Sequence, residues 1–267
     1  MNPNDEAYFE TNRKTWNKKV AIHAASDFYD IDGFKSGANS LKQYELDALG
    51  DVTGKRLLHL QCHFGQDTLS WARLGAVCTG IDLSDAGIAV AKQLSKEIDV
   101  PADFVCCNVY DVSKHIKSQF DIVFTSYGVI GWLPDLQPWA QMIADRLRSG
   151  GTFYMVEFHP IVWMFNYSKS PAEMRYGYMQ KDAIYEEYNG TYADEKASIV
   201  SKEYGWNHGL GEVVSALTAA GLHIEFLREH DESPYNIFPD LIQIENGHYV
   251  SSNRLYPLLF ELKATKI

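Results

Sequence analysis

The sequence of 267 residues predicts an α/β fold: an open sheet of mostly parallel strands, helices on both faces, and an antiparallel strand near the C-terminus. Three observations predict it. Residues 55–85 read as strand, turn, helix and strand. Short apolar runs then alternate with helical stretches as far as residue 158. Two strand-like segments near the end, Leu222–Glu229 and Leu255–Ala264, flank a long loop, as an antiparallel pair on a sheet edge would.

Taken in order, residues 5–25 form a helix. Tyr8, Phe9, Trp16, Val20 and Ala24 recur at roughly helical spacing and supply its packing face. Residues 27–40 are turn-rich and carry Phe28, Tyr29 and Phe34. Leu41–Leu49 is a second short helix, closed by Gly50. So about fifty residues precede the first strand, either as packing across a sheet edge or as a lid over the strand ends.

Residues 56–60 are a short run of the kind buried in a parallel sheet. A tight turn ends at Gly65. A helix follows from about Asp67 to Leu74, with Asp67 and Thr68 near its start, where free amides favour an acceptor. Gly75 stops it. Val77–Ile81 is the second strand, and Asp82 closes it. The crossover is right-handed, and a ligand of such a unit sits at the carboxyl ends of the strands. An acid ending the second strand offers two acceptor oxygens to the two hydroxyls of a ribose. Capping the next helix is the other role open to Asp82.

Ser84 caps a helix over Asp85–Ile98. Phe104–Cys107 is a third strand and Phe120–Ser126 a fourth, followed by a turn over Tyr127–Gly131. A helix over Leu136–Leu147 ends at Arg148-Ser149-Gly150-Gly151, a stop followed by a turn, and Thr152–Phe158 is a fifth strand. Residues 159–206 break the rhythm. Ala183–Tyr188 and Ile199–Trp206 have strand character around Asn189-Gly190, with a connection longer than a tight hairpin. Leu210–Ala220 is a helix stopped by Gly221. One domain is expected: an N-terminal helical or lid segment (1–50), a core (51–158), a cap insertion (159–206) and a completion of the sheet (207–267).

Composition narrows the function. Net charge is −11, from 35 acidic and 24 basic side chains, with no Lys/Arg run, so nucleic acid is not an expected partner. The four cysteines, Cys62, Cys78, Cys106 and Cys107, lack paired metal-ligand spacing, and no metal is expected. No signal peptide is read at the start and no run has membrane-spanning length, which fits a reducing cytoplasm.

Five pieces in order carry a resemblance: LLHLQCHFGQDTLSWARLGA, Gly80-Ile81-Asp82-Leu83-Ser84, Cys107-Asn108-Val109-Tyr110, Phe120-Asp121-Ile122-Val123 and Leu147-Arg148-Ser149-Gly150-Gly151-Thr152. Over about 41–158 and 208–264 the chain resembles the class I S-adenosylmethionine-dependent methyltransferases, in particular a divergent, largely uncharacterised subgroup with a QCHFG turn. The resemblance implies a Rossmann-like sheet. It implies S-adenosylmethionine as cofactor, S-adenosylhomocysteine as product, and methyl transfer by direct displacement to a small or medium organic substrate. A cytoplasmic monomer or homodimer is expected. The cofactor-binding residues it implies are Gln61, Cys62, His63, Phe64, Gly65, Asp67, Thr68, Asp82, Leu83, Ser84, Asn108, Val109, Tyr110, Ser126 and Tyr127.

The chain departs from the family's first motif in three places. His59 stands where that family has an acid, and Gln61 and His63 stand at two of its three glycines; only Gly65 is kept. Those glycines allow unusual dihedrals or close approach. Catalytic candidates are Tyr127, Glu157 and His159; structural hydrogen bonding is the competing role of the last two. His63 is either catalytic or held by backbone hydrogen bonds, and His208 is a helix cap. Tyr29, Trp132 and Trp163, with Phe165 and Tyr167, are candidates for a substrate wall. A non-catalytic binding module with a degenerate turn is the first alternative. A nicotinamide-dependent oxidoreductase is the second, and the turn lacks the G-x-G-x-x-G it would need.

Overall fold

The sheet strands are β1 (Arg56–His59), β2 (Val77–Asp82), β3 (Asp103–Cys106), β4 (Phe120–Ser126) and β5 (Leu147–Phe158). Successive residues of β1, β4 and β5 enter opposite cores. Leu57, Ile122, Phe124, Tyr154 and Val156 pack with Trp71 on one face. Leu58, Val123, Phe153 and Met155 pack with Trp139, Ile143, Val213 and Leu217 on the other. Both faces are therefore dry, which is why the strands read as apolar runs rather than alternating ones. This is a computed structural model, and it describes residues 5–166, 173–238 and 240–267.

The helices are α1 (Asp5–Ala24), α2 (Ile31–Lys35), α3 (Gln43–Leu49), α4 (Gln66–Arg73), α5 (Asp85–Glu97), α6 (Val112–His115), α7 (Leu136–Arg146) and α8 (Leu210–Ala219). Beyond β5, β6 (Phe165–Asn166) pairs with β7 (Glu173–Met174), and β8 (Ile184–Asn189) with β9 (Val200–Gly205). A small sheet follows from β11 (Glu232–Ser233), β12 (Ile242–Gln243) and β13 (Tyr249–Val250). With β10 (Leu222–His230) and β14 (Leu259–Lys266) the main sheet has seven strands in the order β10-β14-β5-β4-β1-β2-β3. β14 runs antiparallel to both β5 and β10, and the other pairings are parallel. The strand order reverses at β1, between β2 and β4, so the ligand crevice of such a sheet lies at their carboxyl ends.

Four details differ from the sequence reading. Residues 148–151 are not a turn before β5 but a bulged start of it: Phe120 pairs with Leu147 and Ile122 with Thr152, and Gly150 takes φ +73°. β14 begins at Leu259 rather than Leu255, because Leu255 is exposed and Pro257 has no N–H to donate to a ladder. Beside the expected face, whose Val20 is buried and whose Tyr8, Phe9 and Trp16 are half-buried against other rings, α1 buries a polar row, Asp5, Asn12, Thr15, Lys19 and His23. Its neighbour there is the backbone of β9. Asn12 both donates to Tyr204 O and accepts from Tyr204 N at 2.8 Å, and Thr15 Oγ1 donates to Lys202 O at 2.7 Å. His208 does not cap α8. It is buried between Leu133 O (2.6 Å from Nε2) and Glu212 (3.1 Å from Nδ1).

Candidate functional site

The turn after β1 takes a glycine-like path without the glycines. Gln61 and His63 have φ of 53° and 51°, and Gly65 has 83°. Left-handed backbone costs a residue with a Cβ about 1–2 kcal/mol. Local hydrogen bonds offset this: Cys62 N to Ile81 O at 2.8 Å, Gln61 Nε2 to Val129 O at 2.9 Å, and His63 N to Asp82 Oδ2 at 2.8 Å. Gly65 is kept for packing as well as φ, since a Cβ there would stand 2.7 Å from the Phe104 ring. The side chains of Cys62, Phe64, Thr68 and Val109 are buried, leaving mainly their backbone to meet a ligand.

Asp82 ends β2 and grips both flanking loops. Oδ2 accepts from His63 N and Oδ1 from Ser84 N, each at 2.8 Å. Burial pushes its pKa up to about 6, against the pull of those amides. Each oxygen keeps a further lone pair. Leu83 follows, and Ser84 Oγ caps α5 by accepting from Gly87 N at 2.9 Å. Beyond β3, Asn108 Oδ1 accepts from Tyr110 N at 3.1 Å, and the Tyr110 hydroxyl donates to Asp135 O at 2.6 Å.

α1 lies over these strand ends. Asn17 Oδ1 accepts from Ser84 Oγ at 2.7 Å, and Arg13 pairs with Asp85 at 2.7 Å. Lys19, wholly buried, pairs with Glu203 and donates to the Tyr188 hydroxyl. Trp16 stands 5.3 Å from the rings of both His63 and Trp132, and Trp132 Nε1 donates to Gly128 O at 2.7 Å. Tyr29 packs on His63 and Phe64 and shares a hydrogen bond with the Tyr192 hydroxyl.

Hydrogen bonding fixes the histidine tautomers. His63 Nδ1 accepts from Phe64 N at 2.8 Å, so its proton sits on Nε2. That Nε2–H points to His23 Nδ1 at 3.1 Å, which must accept. The His23 proton is then on Nε2, buried and without a partner. Burial holds both rings neutral, His23 at a pKa of about 3. Neither is arranged as a base, because both nitrogens of His63 are used and the free nitrogen of His23 is a donor.

A second cluster lies under the ends of β1 and β4. Asp67, in the first turn of α4, accepts from Ser40 Oγ at 2.6 Å and Ser126 Oγ at 3.1 Å. The buried His59 beside it bonds Thr68 Oγ1 at 2.8 Å and is held neutral by desolvation, near 4. Tyr127 has φ +29°, and its hydroxyl is buried without a hydrogen bond. Glu45 on α3 is wholly buried, with no hydrogen bond to either oxygen. Sequence reasoning missed both Glu45 and His23. Glu45 had a local signal, a lone carboxylate in the stripe Leu41–Glu45–Leu49, all three buried.

The other catalytic candidates stand in structural roles. The Glu157 carboxylate accepts the backbone N–H groups of Gly128, Val129, Ile130 and Phe158, and so shapes the turn after β4. His159 is buried, with Nε2 at 2.9 Å from Glu229. Trp163 packs on Phe158, and Phe165 on Phe238 and Tyr256. Tyr167 lies outside the described residues. Cavities of about 360 Å³ beside Tyr44 and Glu261, and about 500 Å³ beside Arg56 and Phe104, lie away from the strand ends. No metal-binding group of His, Cys, Asp and Glu occurs among the described residues.

Residues 58–155 match the family described as a methyltransferase domain. The matched segment runs from β1 into β5. Its similar curated relatives include ubiquinone biosynthesis O-methyltransferases. One from Xanthomonas campestris is 30% identical over 158 residues, 58% of this chain and 65% of the relative. One from Chromobacterium violaceum is 31% identical over 113 residues, 42% of this chain and 48% of the relative. The chain thus matches less than two thirds of the length of these relatives. Among solved structures, an S-adenosylmethionine-dependent methyltransferase from Mesorhizobium loti aligns at TM-score 0.58 and 20% identity, over 87% of this chain and all of that one (100%). A putative one from Listeria monocytogenes aligns at 0.57 and 18%, over 84% and 97%. These likenesses show that the class I methyltransferase fold extends well beyond the matched domain.

Proposed function

We propose that this chain transfers a methyl group from S-adenosylmethionine to a small or medium organic substrate. The observation that carries the reading is the turn after β1. Gln61, His63 and Gly65 all have positive φ, and Asp82 holds the turn through the His63 amide. A turn that had drifted away from ligand binding would have no need to keep this costly path with residues other than glycine.

The residues present fit such a cofactor. Asp82 has lone pairs for ribose hydroxyls, and the 108–110 turn offers an edge for adenine. Gln61 Oε1 is buried and unpartnered, as a ligand donor would require. Ser126 and Tyr127 end the neighbouring strand. Bound there, the cofactor supplies an activated methyl group on a sulfonium sulfur. The chain's work is then to bind, align and exclude water.

In this reading residues 1–50 are a lid, 159–206 a cap, and the chain is one domain. Opening the lid breaks the α1 contacts at Ser84, Asp85 and His63. Tyr29 and Trp132 wall the substrate side, and Trp163 stands farther out. Tyr127 is the remaining catalytic candidate, since Glu157 and His159 are committed to backbone and to Glu229. The relatives' names put an oxygen acceptor first in a substrate screen. We assign the protein to the cytoplasm as a monomer or homodimer. No helix among the described residues is long and apolar enough to cross a membrane.

Titration calorimetry with S-adenosylmethionine, S-adenosylhomocysteine and NAD tests the reading. Binding of the first two, weakened in a folded Asp82→Ala variant, supports it. A folded wild type that binds neither overturns it.

A further inference from the structure

The cavity of about 500 Å³ beside Arg56 and Phe104 has no part in the methyl-transfer reading. It lies at the end of the sheet far from Asp82. Arg56 and Asp103 open β1 and β3, which run parallel with β2 between them. Register puts Arg56, Thr79, Asp103 and Val105 on the face of Leu58, since Leu58 pairs with Thr79 and Thr79 with Asp103. The end of α6 and the loop into β4 supply the wall, with His115, Ile116 and Lys117.

The charge of this cavity is opposite to that of the chain. The protein has 35 acidic and 24 basic side chains, yet Arg56, Lys92 and Lys117 line the space together with His115, against the single acid Asp103. Bases nearby are paired: Lys114 with Asp111 at 2.7 Å, and Arg148 with Asp121 at 2.6 Å. Asp121 also accepts from the Arg56 backbone N at 2.7 Å, so it is fully engaged. Arg56, Lys92, Lys117 and Asp103 form no ion pair among the described residues. The Arg56 guanidinium lies over the Phe120 ring, 5.3 Å from its centre, which orients the plane and leaves its N–H edge free. Lys117 Nζ donates to Ser113 O at 2.7 Å and keeps two further donors.

Donors thus come from three directions: β1, α5 and the loop into β4. A carboxylate has two oxygens to share among them, whereas a phosphate monoester has three terminal oxygens and up to two charges. The space exceeds a bare phosphate and falls within the range of small-molecule sites. Val105 and Ile116 offer apolar wall, and Asp103 offers an unpaired acceptor for hydroxyl groups. A long polyanion would meet the repulsion of the whole chain at net charge −11, which a compact ligand in one cavity largely escapes.

We propose that this cavity binds a small hydroxylated phosphate monoester, of the sugar phosphate class, at the amino ends of β1 and β3. Arg56, Lys92 and Lys117 hold the phosphate, and Asp103 accepts from the hydroxyl groups of the body. The site is separate from the strand ends that would take a nucleoside cofactor, and the inference does not depend on methyl transfer.

The test is titration calorimetry on wild type, Arg56→Gln, Lys92→Gln and Asp103→Asn. The probes are ribose 5-phosphate, inorganic phosphate, ribose and a single-stranded oligonucleotide. Wild type should bind ribose 5-phosphate more tightly than inorganic phosphate, and ribose not at all. Each loss of a cation should weaken ribose 5-phosphate about tenfold. Asp103→Asn should act with the other sign on inorganic phosphate, tightening it several-fold, while the advantage of ribose 5-phosphate shrinks. A damaged fold would weaken every probe, so it cannot produce that tightening. The four side chains replaced or compared are exposed, and unfolding midpoints should stay unchanged.

The proposal is overturned if folded wild type binds neither phosphate at millimolar concentration, or if the variants bind as wild type does. Equal affinity for inorganic phosphate and ribose 5-phosphate overturns it too, because the Asp103 side would then be unused. An oligonucleotide that binds more tightly than ribose 5-phosphate, and weakens in the same variants, would assign the surface to a nucleic-acid backbone instead.

Discussion

His63 donates its backbone N–H to Oδ2 of Asp82 at 2.8 Å, so one carboxylate ties the turn after β1 to the end of β2. Its other oxygen holds Ser84 N. The same residue that would receive a ribose therefore also builds the loop beside it.

Asp82→Ala should be felt twice. Two amides lose their acceptor, a loss of about 2 kcal/mol in a denaturant titration. Affinity for S-adenosylhomocysteine should fall more than tenfold. An unchanged unfolding midpoint would remove the structural half of the argument, and unchanged affinity the ligand half.

Gln61 allows a test of the turn itself. At φ 53°, alanine keeps the backbone penalty and loses the bond to Val129 O, whereas glycine loses only the bond. Gln61→Gly should therefore be more stable than Gln61→Ala by about 1 kcal/mol. In an ordinary right-handed position the order would reverse. The comparison thus reports the dihedral directly, through two melting curves.

Much of this was legible in the sequence. Strands β1 and β4 are buried on both faces, so their apolar runs announced them, and Asp82 ends β2 as its place in the sequence implied. The N-terminal region was harder. The partners of α1 are Ser84, Asp85 and the backbone of β9, far along the chain, so no local pattern names them. The polar stripe Asn12, Thr15, Lys19 and His23 was present at helical spacing, but an aromatic series ran beside it and drew the reading. A sequence shows that a helix has a polar face; the fold decides whether water or another backbone lies against it.

The histidines set an acid limit. His23 and His59 are held at about 3 and 4 by burial, against an ordinary 6.5. The unfolded chain binds protons there first, so their contribution to stability is present above 6.5 and is lost as pH falls through 4 to 3. NMR of the imidazole nitrogens should show both rings neutral at pH 5.5, with His63 protonated on Nε2. Titration near 6.5 for either of the first two would show that the strand ends are open to water.

Glu45 acts with the opposite sign. Burial first, then Asp67, pushes its pKa up to about 8, against 4.5 in an exposed chain. Between those values the folded protein holds a proton that the unfolded chain has released. Stability from this group is therefore full below 4.5 and declines as pH rises towards 8, by an amount on the order of a few kcal/mol. Asp82 contributes in the same direction at lower pH, which makes the difference from a variant the useful quantity. Glu45→Gln has no proton to lose, so its melting temperature should fall less than that of wild type between pH 5.5 and 8.5, and the two curves should diverge most above pH 7. Lys42, Asp67, Tyr127, Tyr154 and Tyr235 face the same carboxyl and are common to both proteins, so they cancel in the difference. Parallel curves would mean that Glu45 is charged and solvated across the range, and that the buried acid under β1 and β4 needs no partner.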